Sequence, residues 1–294
     1  MKKAGKVYLV GAGPGDPGLL TVEALGLLQT ADVVFHDDLV SKEILALIPP
    51  ETYVEDVGKR CGHASVTQQQ IHSLLINAAR EGWTVVRLKS GDPLIFGRAG
   101  EEIEAMRRAG VEYVIVPGIT AALGAAARAG ISLTDRRLAS RIVFLSNHQC
   151  AGKPLFDWKG ALSDETTALI YIPGDRLRGP LYQTLRTWAA ETPCLVKSQA
   201  TTKQEIHSTT LANLADSPHY PAPVLLIVGA VAAKYAGEAT EPHITDDRTG
   251  FTATALEFAL AKEPAETWEA QPESAETAKQ LAARNIQLTG TEFA

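Results

Sequence analysis

Apolar, β-branched runs recur at Lys6–Val10, Asp32–Phe35, Thr52–Glu55, Thr84–Leu88, Tyr113–Val116, Arg141–Leu145, Thr167–Ile172, Cys194–Lys197 and Val224–Val228. Runs of this kind, bounded by polar or glycine-bearing turns, predict strands. Between most of them the apolar positions fall at helical spacing instead. Leu19, Leu20, Ala24, Leu27 and Leu28 predict a helix that opens on Asp16 as N-cap with Pro17 at its first position. Thr67 and Gln70 form a capping box ahead of Ile71, Leu74, Leu75 and Ala78 on one face. A helix over Glu101–Ala109 closes on Gly110 at the C′ position. Thr120–Ala129 and Thr134–Ser140 read as further helical stretches. Alternating strands and helices place the chain in the α/β class.

The pattern changes character between Asn147 and Trp158, where the chain turns polar and carries Gly152 and Pro154. Two α/β domains are expected, over residues 1–135 and 141–237, with a linker near Leu133–Ser146. Residues 238–294 are rich in Ala, Glu and Thr, have helical patches at Thr254–Ala261 and Ala275–Ala283, and read as a partly ordered tail. The 294 residues are 45% apolar and 21% charged, an ordinary globular balance. No apolar run approaches the roughly 18 residues of a membrane span, so none is expected. The opening Met1-Lys2-Lys3-Ala4-Gly5 is too short a lead for a signal peptide. Cys61, Cys150 and Cys194 stand far apart and in no metal spacing, and read as reduced thiols in a cytoplasmic protein. His36, His63 and His148 are equally scattered, so no metal site is expected. A net charge of −6 argues against a general nucleic-acid surface. An anionic small substrate then needs a local cluster of Arg and Lys to override the global field.

Candidate chemistry sits at glycine-bearing bends after strands. The first is Val10-Gly11-Ala12-Gly13-Pro14-Gly15-Asp16-Pro17-Gly18. The dinucleotide fingerprint G-x-G-x-x-G would need its third glycine where Asp16 stands, and Pro14 removes a backbone donor. A nicotinamide oxidoreductase is therefore disfavoured, and the bend suits a ligand without a pyrophosphate or serves only as a tight connection. The second bend is Lys89-Ser90-Gly91-Asp92-Pro93-Leu94-Ile95-Phe96-Gly97-Arg98, leading into Glu101 and Glu102. The third is Val116-Pro117-Gly118-Ile119-Thr120-Ala121. In an open α/β sheet such bends gather at one edge, where ligands bind.

These motifs, with Val57-Gly58-Lys59-Arg60, carry a resemblance to the tetrapyrrole methylase family over about Lys6 to Ala233. The resemblance implies two α/β domains with S-adenosylmethionine in the cleft between them, a homodimer, and an anionic tetrapyrrole substrate. It implies methylation of uroporphyrinogen III at C2 and C7 to give precorrin-2, which feeds sirohaem, haem d1 or cobalamin, with S-adenosylhomocysteine as by-product. By the same resemblance the methyl donor is held by Pro14, Ser90, Gly91, Asp92, Ile95, Thr120, Ala121, Ile172 and Ala200. Asp37 and Lys59 match the family's acid–base pair, with Asp38 as the substitute if the register slips. Arg98, Glu101 and Arg136 match positions that bind substrate or assist catalysis, and Arg60 and Arg137 add to a field suited to carboxylates.

The chain departs from the family pattern at several points. Ser90 replaces a glycine, His36 a tyrosine, and Asp135 a histidine beside Arg136. Ser146-Asn147-His148 stands for Thr-Gly-His, and Tyr171-Ile172-Pro173-Gly174 for Tyr-Met-Gly. These leave two rivals open: a relative acting on a later corrin precursor or another substrate, and a non-catalytic protein that keeps the cofactor site.

Overall fold

Five parallel strands build the first sheet: β1 (Lys6–Gly11), β2 (Val33–His36), β3 (Tyr53–Asp56), β4 (Thr84–Lys89) and β5 (Glu112–Val116), in the spatial order β3-β2-β4-β1-β5. The computed structural model describes residues 5–58, 66–146, 163–172, 185, 188–198, 205–220 and 223–235. Parallel strands need crossover connections that bury both faces of the sheet. Here α1 (Val22–Thr30) and α2 (Lys42–Leu45) place Ala24, Leu28 and Ile44 against Val10, Val34, Val86 and Leu88 on one face. On the other face, α3 (Gln68–Arg80) and α4 (Ala99–Ala109) place Leu75, Ala79 and Met106 against Leu9, Phe35 and Val85. The loops after β4 and β1 thus lead to opposite faces from neighbouring strands. This is the switch point at which open α/β sheets bind ligands.

Local signals set several boundaries. Both hydrogen bonds of the Thr67–Gln70 capping box form, and α4 ends on Gly110 at φ +67°. The first helix differs from expectation. Asp16 caps only the 3-10 turn Pro17–Leu19, and α1 starts at Val22 behind Thr21, whose side chain accepts from Ala24 N at 3.1 Å. The cause is local: Leu20 returns to extended backbone, so the apolar spacing at Leu19 and Leu20 belongs to the turn.

The second unit has the mixed sheet β6-β7-β10-β8-β9: β6 (Arg141–Ser146), β7 (Thr166–Ile172), β8 (Pro193–Ser198), β9 (Glu205–Thr210) and β10 (Val224–Val228). β6 runs parallel to β7, and the remaining pairs are antiparallel. β9 was not expected, because Glu205-Ile206-His207-Ser208-Thr209-Thr210 lacks an apolar run. As an edge strand it needs only its hydrogen bonds to β8. α5 (Ala121–Arg128) packs Ala122, Ala125 and Ala126 with Leu169, Leu195 and Ile227 of this sheet. Contacts therefore divide the described chain between Thr120 and Ala121, fifteen residues before the expected boundary at 135. Thr134–Ser140 is not helical but a turn closed by the Asp135–Ala139 bridge. α6 (Ala230–Tyr235) follows β10.

Candidate active site

Three loops leave the carboxyl ends of adjacent strands β4, β1 and β5 and pack backbone on backbone. Gly13 N donates to Gly91 O at 3.1 Å, and Gly91 N donates back to Gly13 O at 2.7 Å. Ala12 N donates to Lys89 O at 2.8 Å. A Cβ added at Gly11 would lie 2.5 Å from Gly118 N, 2.6 Å from Gly118 Cα and 2.8 Å from Gly91 O. Only glycine permits that approach. Asp92 joins two of the loops through its carboxylate, with Oδ2 accepting from Gly118 N at 3.0 Å and Oδ1 from Leu94 N at 2.8 Å.

This cluster brings together the candidate cofactor residues of the first unit. Gly91 and Thr120 are buried, while Pro14, Ser90, Asp92 and Ile95 are partly exposed. In the second unit, Ala122 N donates to Tyr171 Oη at 3.3 Å, which ties the start of α5, beside Ala121, to the end of β7, where Ile172 stands. Ala200, Lys59 and Arg60 lie outside the described residues.

Asp37 follows β2 at the same sheet edge, and its N–H donates to Leu88 O at 3.1 Å. An added Cβ at Gly58 would meet Asp38 Cβ at 2.5 Å, so the chain entering Lys59 presses on the Asp37–Asp38 turn. The Asp37 carboxylate enters an ion cluster that sequence reasoning missed. Its Oδ1 pairs with Arg87 Nη2. Arg87 Nε donates to Glu102 Oε1 at 3.0 Å, and Lys89 Nζ lies 3.1 Å from Glu102 Oε2. Arg87, Lys89 and Glu102 are buried. Burial pushes the Arg87 guanidinium down, but Asp37 and Glu102 outweigh it and hold Arg87 above the ordinary arginine range. Burial, then the Arg87 charge, push the Lys89 ammonium below the ordinary lysine range. The available signal was two cations at alternate positions in an otherwise apolar strand. Strands of a sheet covered on both faces exclude charge unless it is paired.

Arg98 and Glu101 form a two-pronged pair, Nε to Oε1 at 2.8 Å and Nη2 to Oε2 at 2.7 Å, with both side chains about half exposed. An exposed pair of this kind is worth about 0–1 kcal/mol, so exchange for a ligand carboxylate costs little. Phe96 and Arg98 hold left-handed backbone at φ +55° and +56°. Arg136 is exposed on the Asp135–Ala139 turn. The neighbouring Asp135 carboxylate accepts from Arg137 at 2.9 and 3.1 Å and from Lys234 at 3.2 Å. Chiefly the Arg137 hydrogen bonds hold it far below the usual carboxylate range. Asp135 thus directs its charge to Arg137 and Lys234.

Elsewhere in the second unit, buried Lys197 donates to Ala125 O at 2.7 Å, and burial together with the Arg128 charge pushes it down to about 8. Buried Cys194 carries a thiol pushed up to about 12 by burial, the opposite of a reactive cysteine. Among the described residues no group of three or more His, Cys, Asp or Glu side chains is placed to hold a metal. No described helix is long and apolar enough to cross a membrane.

The family model of tetrapyrrole (corrin/porphyrin) methylases matches residues 6–215. A uroporphyrinogen-III C-methyltransferase from Paracoccus denitrificans is 48% identical over 236 residues, covering 78% of this chain and 82% of that protein. A siroheme synthase from Nitrosococcus oceani is 43% identical over 79% of this chain, which spans half of that longer protein. Among solved structures, a uroporphyrin-III C-methyltransferase from Thermus thermophilus complexed with S-adenosyl homocysteine is 36% identical, with a TM-score of 0.68. That likeness covers 78% of this chain and 99% of the Thermus chain. With its glycine loops, its parallel first sheet and these relatives, the chain belongs to the tetrapyrrole methylase family.

Proposed function

We propose that this chain is an S-adenosylmethionine-dependent C-methyltransferase that methylates uroporphyrinogen III at C2 and C7 to give precorrin-2. The observation that carries the reading is the interlocked Gly11, Gly91 and Gly118 loops beside the partly exposed Asp37 carboxylate, all at one sheet edge.

The residues fit the cofactor's chemistry. Pro14, Ser90, Gly91, Asp92, Ile95 and Thr120 include one carboxylate and no cation, a set unsuited to phosphate and suited to a cationic ligand. Both Asp92 oxygens already accept backbone bonds, so Asp92 shapes the cradle first and contributes its negative charge second. Ala121, Ile172 and Ala200 are the contributions assigned to the second unit. When bound, S-adenosylmethionine supplies an electrophilic methyl group and leaves as S-adenosylhomocysteine.

The remaining steps fall to this chain's own side chains. Methyl addition makes the attacked ring carbon quaternary and leaves the macrocycle cationic; Asp37 takes the proton that the macrocycle then loses from another position, and Lys59 serves as the acid. Arg98, Arg60 and Arg136 pair with the carboxylates of the substrate, with Glu101 holding Arg98 until substrate arrives. Orientation of the pyrrole carbon supplies much of the acceleration. The active species is a homodimer in the cytoplasm.

Lys59→Ala and Arg136→Ala test the assignment. Each is expected to cut turnover by about a hundredfold or more while cofactor affinity stays within about threefold. Full turnover in both variants would overturn the assignment of these two residues.

A further inference from the structure

We propose that Arg87 is a positioning residue that fixes the Asp37 carboxylate for proton transfer, with Glu102 as its buried anchor. This rests on the reading of Asp37 as the catalytic base.

Val85, Arg87 and Lys89 alternate with Val86 and Leu88, so the two cations share the face covered by α3 and α4. Arg87 and Lys89 are each only 2% exposed. Two buried like charges on one strand face are unfavourable unless anions reach them. Glu102, fully buried in the first turn of α4, reaches both. It neutralises one of the two charges, and Asp37 supplies the other anion.

The geometry is directional. Arg87 Nε is held by Glu102, and Nη1 donates to Phe35 O at 3.3 Å and Leu88 O at 3.2 Å. These contacts lock the plane of the guanidinium and aim Nη2 at Asp37 Oδ1. Lys89 Nζ stands 4.0 Å from Asp37 Oδ2, beyond hydrogen-bond reach, so it adds charge without orienting the group. Asp37 is the one member whose side chain reaches solvent, at 31% exposure. Stability alone does not call for this arrangement, since apolar side chains of similar volume serve a core as well or better. A rigid donor fork behind a carboxylate at the sheet edge meets a catalytic need instead, because misplacement by about 1 Å costs a reaction about a hundredfold.

A double-mutant cycle between Arg87→Lys and Asp37→Asn tests the link. The measurements are kcat, the KM for uroporphyrinogen III, S-adenosylmethionine affinity by calorimetry, and Tm. Arg87→Lys keeps the charge and loses the fork, and is expected to lower kcat about ten- to a hundredfold with cofactor affinity within about threefold. Asp37→Asn is expected to lower kcat by at least about a hundredfold. In the Asp37→Asn background, Arg87→Lys should change kcat by less than about twofold, since the effect runs through one carboxylate. An equal loss in both backgrounds, or full kcat in Arg87→Lys, overturns the proposal. Full kcat in Asp37→Asn overturns the reading of Asp37 itself, a separate outcome. If Arg87→Lys does not fold, Glu102→Gln, which keeps shape and removes one charge, runs the same cycle. Its loss of kcat must likewise vanish in Asp37→Asn, and persistence overturns the proposal.

Discussion

Gly11→Ala tests the interlocked loops with a single methyl group. The added carbon has no space: it meets Gly118 N at 2.5 Å, Gly118 Cα at 2.6 Å and Gly91 O at 2.8 Å, all backbone atoms that cannot rotate away. Restoring ordinary contact requires the β1 and β5 loops to part by well over half an ångström. Overpacking of this size costs about 1–3 kcal/mol. The paired Gly13–Gly91 hydrogen bonds would also loosen, at about 1 kcal/mol each. Against this, alanine recovers roughly 0.5–1 kcal/mol of backbone entropy. The net expectation is a loss of about 2–4 kcal/mol, or a fall in Tm of roughly 3–8 °C for a chain of this size. Calorimetry should also show S-adenosylmethionine affinity reduced at least about tenfold, since 1.4 kcal/mol of cradle distortion suffices. Gly26→Ala on α1 is the control, because a Cβ there meets nothing within 4 Å, and it should be neutral or slightly stabilising. A Gly11→Ala protein that melts within about 1 °C of wild type and binds the cofactor within twofold would refute the packing argument.

Other expectations follow from the charged groups. Glu102→Ala leaves buried Arg87 and Lys89 to share Asp37, one positive charge uncompensated, and should cost about 3–5 kcal/mol in urea unfolding, whereas a loss under about 1 kcal/mol would contradict the buried cluster. Arg98→Ala should leave Tm unchanged and raise the KM for the tetrapyrrole, and an unchanged KM would remove Arg98 from the substrate site. Lys197 titrates near 8 when folded against an ordinary 10.5, so from about pH 8 to 10.5 the unfolded chain holds more protons. The stability of wild type relative to Lys197→Met should therefore rise with pH across that window and be flat below it. Paired unfolding curves that stay parallel through the window would contradict the buried ammonium.

Much of the first unit was readable because its cues are local. Strands covered on both faces are written as short apolar runs, and Thr67, Gln70 and Gly110 mark helix ends through their own hydrogen bonds. The gathering of Gly11, Gly91 and Gly118 followed from where glycines stand relative to strands. The unread features depend on tertiary context. Glu101 and Glu102 are neighbours of identical type, and only the rotation of α4 turns Glu102 inward and leaves Glu101 to Arg98. Arg87 and Lys89 passed as ordinary strand residues because their partners lie on β2, α4 and the loop after β2. β9 was hidden because an edge strand does not need an apolar run. The Ala-rich helix α5 carries no mark of which sheet it serves, and only its contacts group it with the second unit.

Incubating the purified protein with S-adenosylmethionine and uroporphyrinogen III without oxygen, and following the mass of the tetrapyrrole, tests whether this chain is the proposed methyltransferase. The expected product has gained two methyl groups, with one S-adenosylhomocysteine released for each. A tetrapyrrole of unchanged mass, in a protein that binds S-adenosylmethionine by calorimetry, would contradict that assignment.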